Sequence, residues 1–222
     1  PKRLLPLIAG EYYHIFNRGV NKRHLFKSQT DYNRILDLTY FYSFSNTPFR
    51  FSWLTKLSNQ QQQKVWQDLS IQPKLVDIIA FCHMPNHYHL IVHQLTETGI
   101  SEFISHLQNS YARYFNTKYD RIGPLWQGPF KGVRITNEYQ LFHLSRYIHL
   151  NPYTSLVVTN LQKLESYPWS SLPEYLNKTD RPLSNPQIIL SNFKNPRNYL
   201  NFVLDNADYQ KQLELIKHLF VD

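Results

Sequence analysis

Two strand-like runs, LVDIIAFCH (75–83) and HYHLIVH (87–93), stand only Met84, Pro85 and Asn86 apart. The first is largely apolar and the second alternates, so a tight antiparallel hairpin is the expected connection. That hairpin constrains its surroundings, because a helix-period run lies on either side of it. TDYNRILDLTYFYSF (30–44) carries Ile35, Leu38 and Phe41 or Tyr42 at helical spacing, with Thr30 placed to cap it. ISEFISHLQNSYARYFNT (100–117) lines up Ile100, Phe103, Ile104, Leu107, Tyr111 and Tyr114 along one side. EYYHIF (11–16) reads as a strand before the first helix, and GVRIT (132–136) as one after the second. NEYQLFHLSRYIHLN (137–151) is a third helix, with Asn137 at its N-cap and Pro152 expected to end it. Strand, helix, strand, strand, helix, strand, helix is the split βαβ pattern with one helix added. The expected fold class is therefore α+β. Its core is ferredoxin-like, an antiparallel sheet with helices on one face, followed by the added helix. A domain over 1–172 would carry a mostly helical extension, 173–222, packed on it.

Composition narrows the function classes. At 222 residues with 42% hydrophobic and 15% aromatic residues, the chain can bury a full core. No apolar run is long enough for a membrane helix, and PKRLLPLIAGEYYH lacks a signal-peptide body, so a cytoplasmic protein is expected. The lone Cys82 suits a reducing compartment and reads as buried filler. The formal charge is +8, and its excess lies in residues 1–172, which hold 18 Lys and Arg against 10 Asp and Glu. A basic, aromatic-rich body is compatible with nucleic acid, although charge alone does not decide it. NQQQQKVWQDL (59–69) reads as a solvated helix in an insertion.

Period-two alternation sets His87, His89, Ile91 and His93 on one strand face, and Tyr88, Leu90 and Val92 on the other. Two imidazoles so placed are open to two readings: rings satisfied in a polar crevice, or ligands of one divalent cation. His83 and His93 flank the pair in sequence. On the third helix, Leu141, Leu144 and Ile148 form a core stripe, while His143, Tyr147 and Asn151 recur every four residues on another face. Tyr147 suits either packing or nucleophilic attack, and Asn151 either a helix cap or a metal ligand.

Taken in order, PNHYHLIV, YARYFN, GPLWQG, RYIHLNP and YPWSS resemble the HUH-type single-tyrosine transposases, most nearly the REP-associated tyrosine transposase (IS200-like) branch. The resemblance runs from about residue 11, through YHIFNRGVNKRHLF, to about 172. It implies that His87 and His89 bind metal, that Tyr147 is the nucleophile, and that Asn151 is the third ligand. It further implies Mg²⁺ or Mn²⁺ as cofactor and single-stranded DNA with hairpin, REP-like ends as partner. The reaction implied is cleavage and rejoining through a 5′-phosphotyrosine, by a monomer or a homodimer. Arg18, Lys22 and Arg23 in NRGVNKRH are candidate DNA contacts. Trp126 suits either base stacking or the core. Many relatives of that family carry a basic residue where this chain has Pro129; if that position grips phosphate, this chain must use Lys131 or Arg134 instead, or bind more weakly. Two alternatives stand beside this reading. One is a domesticated hairpin-binding protein of ferredoxin-like fold with little catalysis, and the other is a metal hydrolase using activated water.

Overall fold

In the computed structural model, which describes residues 6–180, 182–205 and 207–212, the hairpin forms as expected. Strands β1 (Tyr12–Arg18), β2 (Val76–Met84), β3 (His87–Gln94) and β4 (Lys131–Ile135) make one sheet in the order β2-β3-β1-β4. Every neighbouring pair is antiparallel. Sequence-distant β1 thus pairs with β3, the split βαβ arrangement.

Helices α1 (Gln29–Phe41) and α4 (Gly99–Lys118) cover one face. Tyr13, Ile15, Tyr88, Leu90 and Val92 from the sheet share that core with Ile35, Leu38, Phe103 and Leu107. Helix α1 begins two residues earlier than the Thr30 cap expected, because Ser28 and Asp31 close a capping box. Asp31 then does more than cap. Its buried carboxylate accepts from Lys118, Tyr114 and Tyr119 of α4 and its C-terminal flank at 2.6, 2.9 and 2.6 Å. Burial alone would raise its pKa, but these donors hold it down to about 2.

Between α1 and β2 lie α2 (Phe51–Leu54) and α3 (Asn59–Ser70). Helix α3 buries only Leu69, as a solvated helix should.

The second face is covered by α5 (Glu138–Thr154) and by the segments after it: α6 (Leu161–Leu164), α7 (Leu172–Tyr175), α8 (Gln187–Leu190) and α9 (Pro196–Leu204). Residues 207–212 are helical too, and any continuation of that terminal helix lies outside the described residues. Asn137 caps α5 as expected, its Oδ1 accepting from the Gln140 N–H at 2.8 Å. Pro152 does not end the helix, which continues to Thr154. The Asn151 carbonyl accepts from the Ser155 N–H, and the Pro152 carbonyl from Val158, so the last turn finds donors beyond the proline.

Edge strand β2 is covered by Trp169–Ser171. Trp169 stacks on Tyr32 at 4.4 Å, and its carbonyl accepts the His83 N–H. Cys82 is buried, and burial pushes its thiol pKa up, as inert filler requires. No helix among the described residues is long and apolar enough to cross a membrane.

Candidate active site

The β1–β3 register decides which side chains meet. Arg18 lies opposite His87, Phe16 opposite His89 and His14 opposite Ile91, so Arg18, Phe16 and His14 share the face of the paired histidines. Helix α5 crosses this face. Tyr147, half-buried, stands edge-on to His89 with ring centroids 5.6 Å apart. Asn151, one turn on and only 4% exposed, hydrogen-bonds His87 through its side chain. Asn151 therefore sits inside the helix rather than capping it.

Each histidine of the pair has its Nδ1 engaged. His87 Nδ1 meets Asn86 Oδ1 at 2.6 Å, and His89 Nδ1 meets His14 Nε2 at 2.8 Å. Nε2 is thus the ligand-capable position of each ring, that of His87 being shared with the Asn151 side chain, the arrangement by which outer partners orient metal-binding imidazoles.

Burial is the main cause that lowers the pKa of all three rings. His14 and His87 fall to about 4 and His89 well below its usual value. The Arg18 charge pushes His87 and His89 down further, while the Asn151 bond partly offsets the shift at His87. Neutral imidazole is the form a cation needs.

Among the described residues no group of three or more His, Cys, Asp or Glu side chains is placed to hold a metal ion by itself. The donor set is two imidazoles and one amide, without a carboxylate. It fits one divalent cation with positions open to substrate oxygens. Asn151 Nδ2 is buried and has no hydrogen-bond partner in the protein, a polar group suited to a bound phosphate.

The other candidates separate cleanly. Lys131 lies opposite Phe16 on the histidine face, its Nζ 6.0 Å from the Phe16 ring. Arg134 lies opposite Tyr13 on the other face and pairs with Glu11 at 2.5 Å, so it is turned away from the paired histidines. Lys22 is exposed in the loop after β1, and Arg23 is half-buried there. That loop packs on the hairpin, with the Gly19 N–H donating to the Asn86 carbonyl and Leu25 to that of Pro85. A Cβ on Gly19 would stand 2.4 Å from the Arg23 carbonyl oxygen, so the turn requires glycine.

Trp126 is only 9% exposed, set between Tyr88 and Tyr111 with Nε1 donating to the Gln108 carbonyl. It is a core residue and offers no ring to a base. His83 does not flank the site: it lies opposite Tyr88, on the α1/α4 face. His93 stacks on Tyr12 at 4.4 Å. His143 contacts Arg146 rather than the paired histidines.

One contributor escaped sequence reasoning. His14 was legible as a strand residue, but only the register brings it to His89.

The family model described as "Transposase IS200 like" matches residues 45–151. The likeness to IS200-like transposases covers just under half of the chain. The transposase match thus takes in the paired histidines and ends on Asn151, while β1 and α1, which complete the sheet, precede it. Among solved structures, a REP-associated tyrosine transposase bound to a REP hairpin aligns over 83% of this chain and 96% of its own, at 17% identity and a TM-score of 0.51. That likeness is one of fold. Two others align more loosely, each with a TM-score of 0.34. A Deinococcus radiodurans R1 protein assigned as a transposase is 16% identical over 67% of this chain and 95% of its own. The Saccharomyces cerevisiae tRNA(His) guanylyltransferase is 12% identical over 98% and 81%. No curated protein matches the sequence.

Proposed function

We propose that this chain cuts and rejoins single-stranded DNA near hairpins, through a covalent link between Tyr147 and the 5′ phosphate. The observation that carries the reading is the meeting, within one chain, of Tyr147 with His89 and of Asn151 with His87. A tyrosine without a metal site would be packing, and a metal site without a tyrosine would suit water chemistry.

His87, His89 and Asn151 would hold a divalent cation, Mg²⁺ or Mn²⁺, which supplies Lewis-acid polarisation of the scissile phosphate. Two imidazoles without a carboxylate suit Mn²⁺ better than Mg²⁺. Arg18 and Lys131, on the same face, bind flanking phosphates, and the Asn151 amide donates to a phosphate oxygen. Tyr147 Oη attacks phosphorus and forms the new P–O bond as the bond to the 3′ oxygen breaks. The phenol loses its proton and the departing oxygen gains one, leaving a 3′-hydroxyl. The reverse attack by a 3′-hydroxyl rejoins the strand, since one phosphodiester replaces another. Hairpin-bearing DNA is the substrate favoured, because the solved structure of similar fold holds a REP hairpin.

Denaturing electrophoresis after incubation with labelled hairpin DNA and Mn²⁺ tests this. A protein–DNA adduct is expected from the unaltered chain and from neither Tyr147→Phe nor His87→Ala. Cleavage that survives Tyr147→Phe would replace the mechanism with hydrolysis by water. Binding with no cleavage under any metal would leave a hairpin-binding protein.

A further inference from the structure

A cavity of about 720 Å³ opens between α1, α4 and the loop leading into α2. It lies on the side of the sheet away from His87 and His89, since α1 and α4 pack on the opposite face. Helix α4 turns His106, Asn109, Ser110, Arg113 and Thr117 towards it, a polar stripe beside the helix's buried one. Phe49, Arg50 and Ser52 form the facing wall, and Arg34 of α1 closes one side.

The lining carries four cationic side chains, Arg34, Arg50, Arg113 and Lys118, and no carboxylate. Asp31 pairs with Lys118 at 2.6 Å and Asp37 acts on Arg34 through its charge, so the cavity keeps a surplus of two positive charges. Arg50 and Arg113 are exposed and enter no ion pair among the described residues. Arg34 lies over the Phe51 and Tyr114 rings at 4.4 and 5.0 Å, and its Nε is buried without a partner.

The α4 stripe runs from His106 to Thr117, about 17 Å end to end at the helical rise. That length exceeds a single phosphate and suits a polyanion. Aromatic surface from Tyr42, Phe49 and Tyr114 between the cations suits sugars and bases better than a simple inorganic ion.

We propose that this cavity binds the phosphate backbone of nucleic acid, as a contact separate from the Tyr147 site. The insertion between α1 and β2 then has a task, because its first residues build the outer wall.

The test uses the Arg50→Gln, Arg113→Gln double variant and fluorescence anisotropy, with one hairpin oligonucleotide and one short unstructured strand. Affinity for the hairpin should fall about tenfold, and the slope of log K against log salt should shrink by about 2, one phosphate per arginine. The Tyr147 adduct formed on the short strand should be unchanged. A hairpin affinity and salt slope equal to those of the unaltered chain would overturn the proposal. Loss of affinity in a protein that forms no adduct even when unaltered would support this site and remove the Tyr147 mechanism instead.

Discussion

At the scale of residues, His14 decides how His89 is presented. If His89 binds metal through Nε2, its Nδ1 must carry the proton and donate to His14 Nε2, which lies 2.8 Å away. His14 thereby fixes both tautomer and ring orientation, as outer partners of ligating histidines do. Removing it frees the His89 ring to turn and leaves a buried N–H without an acceptor. His14→Ala should therefore weaken Mn²⁺ binding by about 10–100-fold, read by electron paramagnetic resonance titration without DNA. His14→Gln, whose amide oxygen can still accept, should recover much of that loss. Equal Mn²⁺ affinity in all three proteins would reduce His14 to a packing residue. The sequence shows why His14 was missed. EYYHIF presents one histidine on a strand, and nothing local says that the strand lies next to β3.

At the scale of elements, the question is what holds α5 steady enough to aim a tyrosine. His149, two residues past Tyr147, is buried between Tyr199 Oη and Ser171 Oγ, each 2.7 Å away. Tyr199 Oη also donates to Ser145 Oγ at 3.0 Å, and Tyr153 Oη to Asp208 at 2.9 Å. The segments after α5 therefore clamp that helix to the sheet, a task for the C-terminal extension that sequence reasoning left open.

The clamp is sensitive to acid. Burial lowers the His149 pKa to about 3, against about 6.5 in an unfolded chain. Above pH 6.5 the ring is neutral in both states and the clamp contributes fully. As pH falls from 6.5 towards 3 the unfolded chain takes up a proton that the folded chain refuses, so stability is lost with falling pH. Between pH 7 and 5 this one group accounts for about 2 kcal/mol. His149→Gln removes the titration, and in urea unfolding it should lose about 2 kcal/mol less than the unaltered chain over that interval. An identical pH dependence would mean that His149 is not the responsible group.

Much of α5 was legible in sequence: the Asn137 cap, the Leu141 and Ile148 stripe, and Tyr147 and Asn151 one turn apart. Its passage through Pro152 was not, because proline lowers helix propensity locally while burial of Pro152 and Tyr153 favours the helix through packing that local sequence does not show.

At the scale of the whole molecule, one sheet separates the paired histidines and Tyr147 from the cationic cavity. The alternation of β3 predicted that His87 and His89 would lie away from Tyr88 and Leu90. The order of elements predicted the split βαβ core, so most of the architecture was readable. What periodicity could not supply was pairing. Alternation alone sets Lys131 and Arg134 on opposite faces of their strand, yet only the β1–β4 register shows that Lys131 is the one on the histidine face. Trp126 looks like a loop residue, yet it fills the gap between Tyr88 and Tyr111.

The same architecture bears on oligomeric state. Helix α5 follows β4 directly and lies across its own sheet, so Tyr147 meets His89 of the same chain. The clamp on His149 is likewise internal to the chain, its partners Ser171 and Tyr199 both following α5. A site complete within one chain cannot be rebuilt by mixing halves. An equimolar mixture of Tyr147→Phe and His87→Ala proteins should therefore form no DNA adduct above either alone. A chain that swapped α5 in a dimer would pair an intact tyrosine with intact histidines in some of its sites. Adduct recovered to a sizeable fraction of the unaltered level would show that exchange, and the monomeric site would have to be given up.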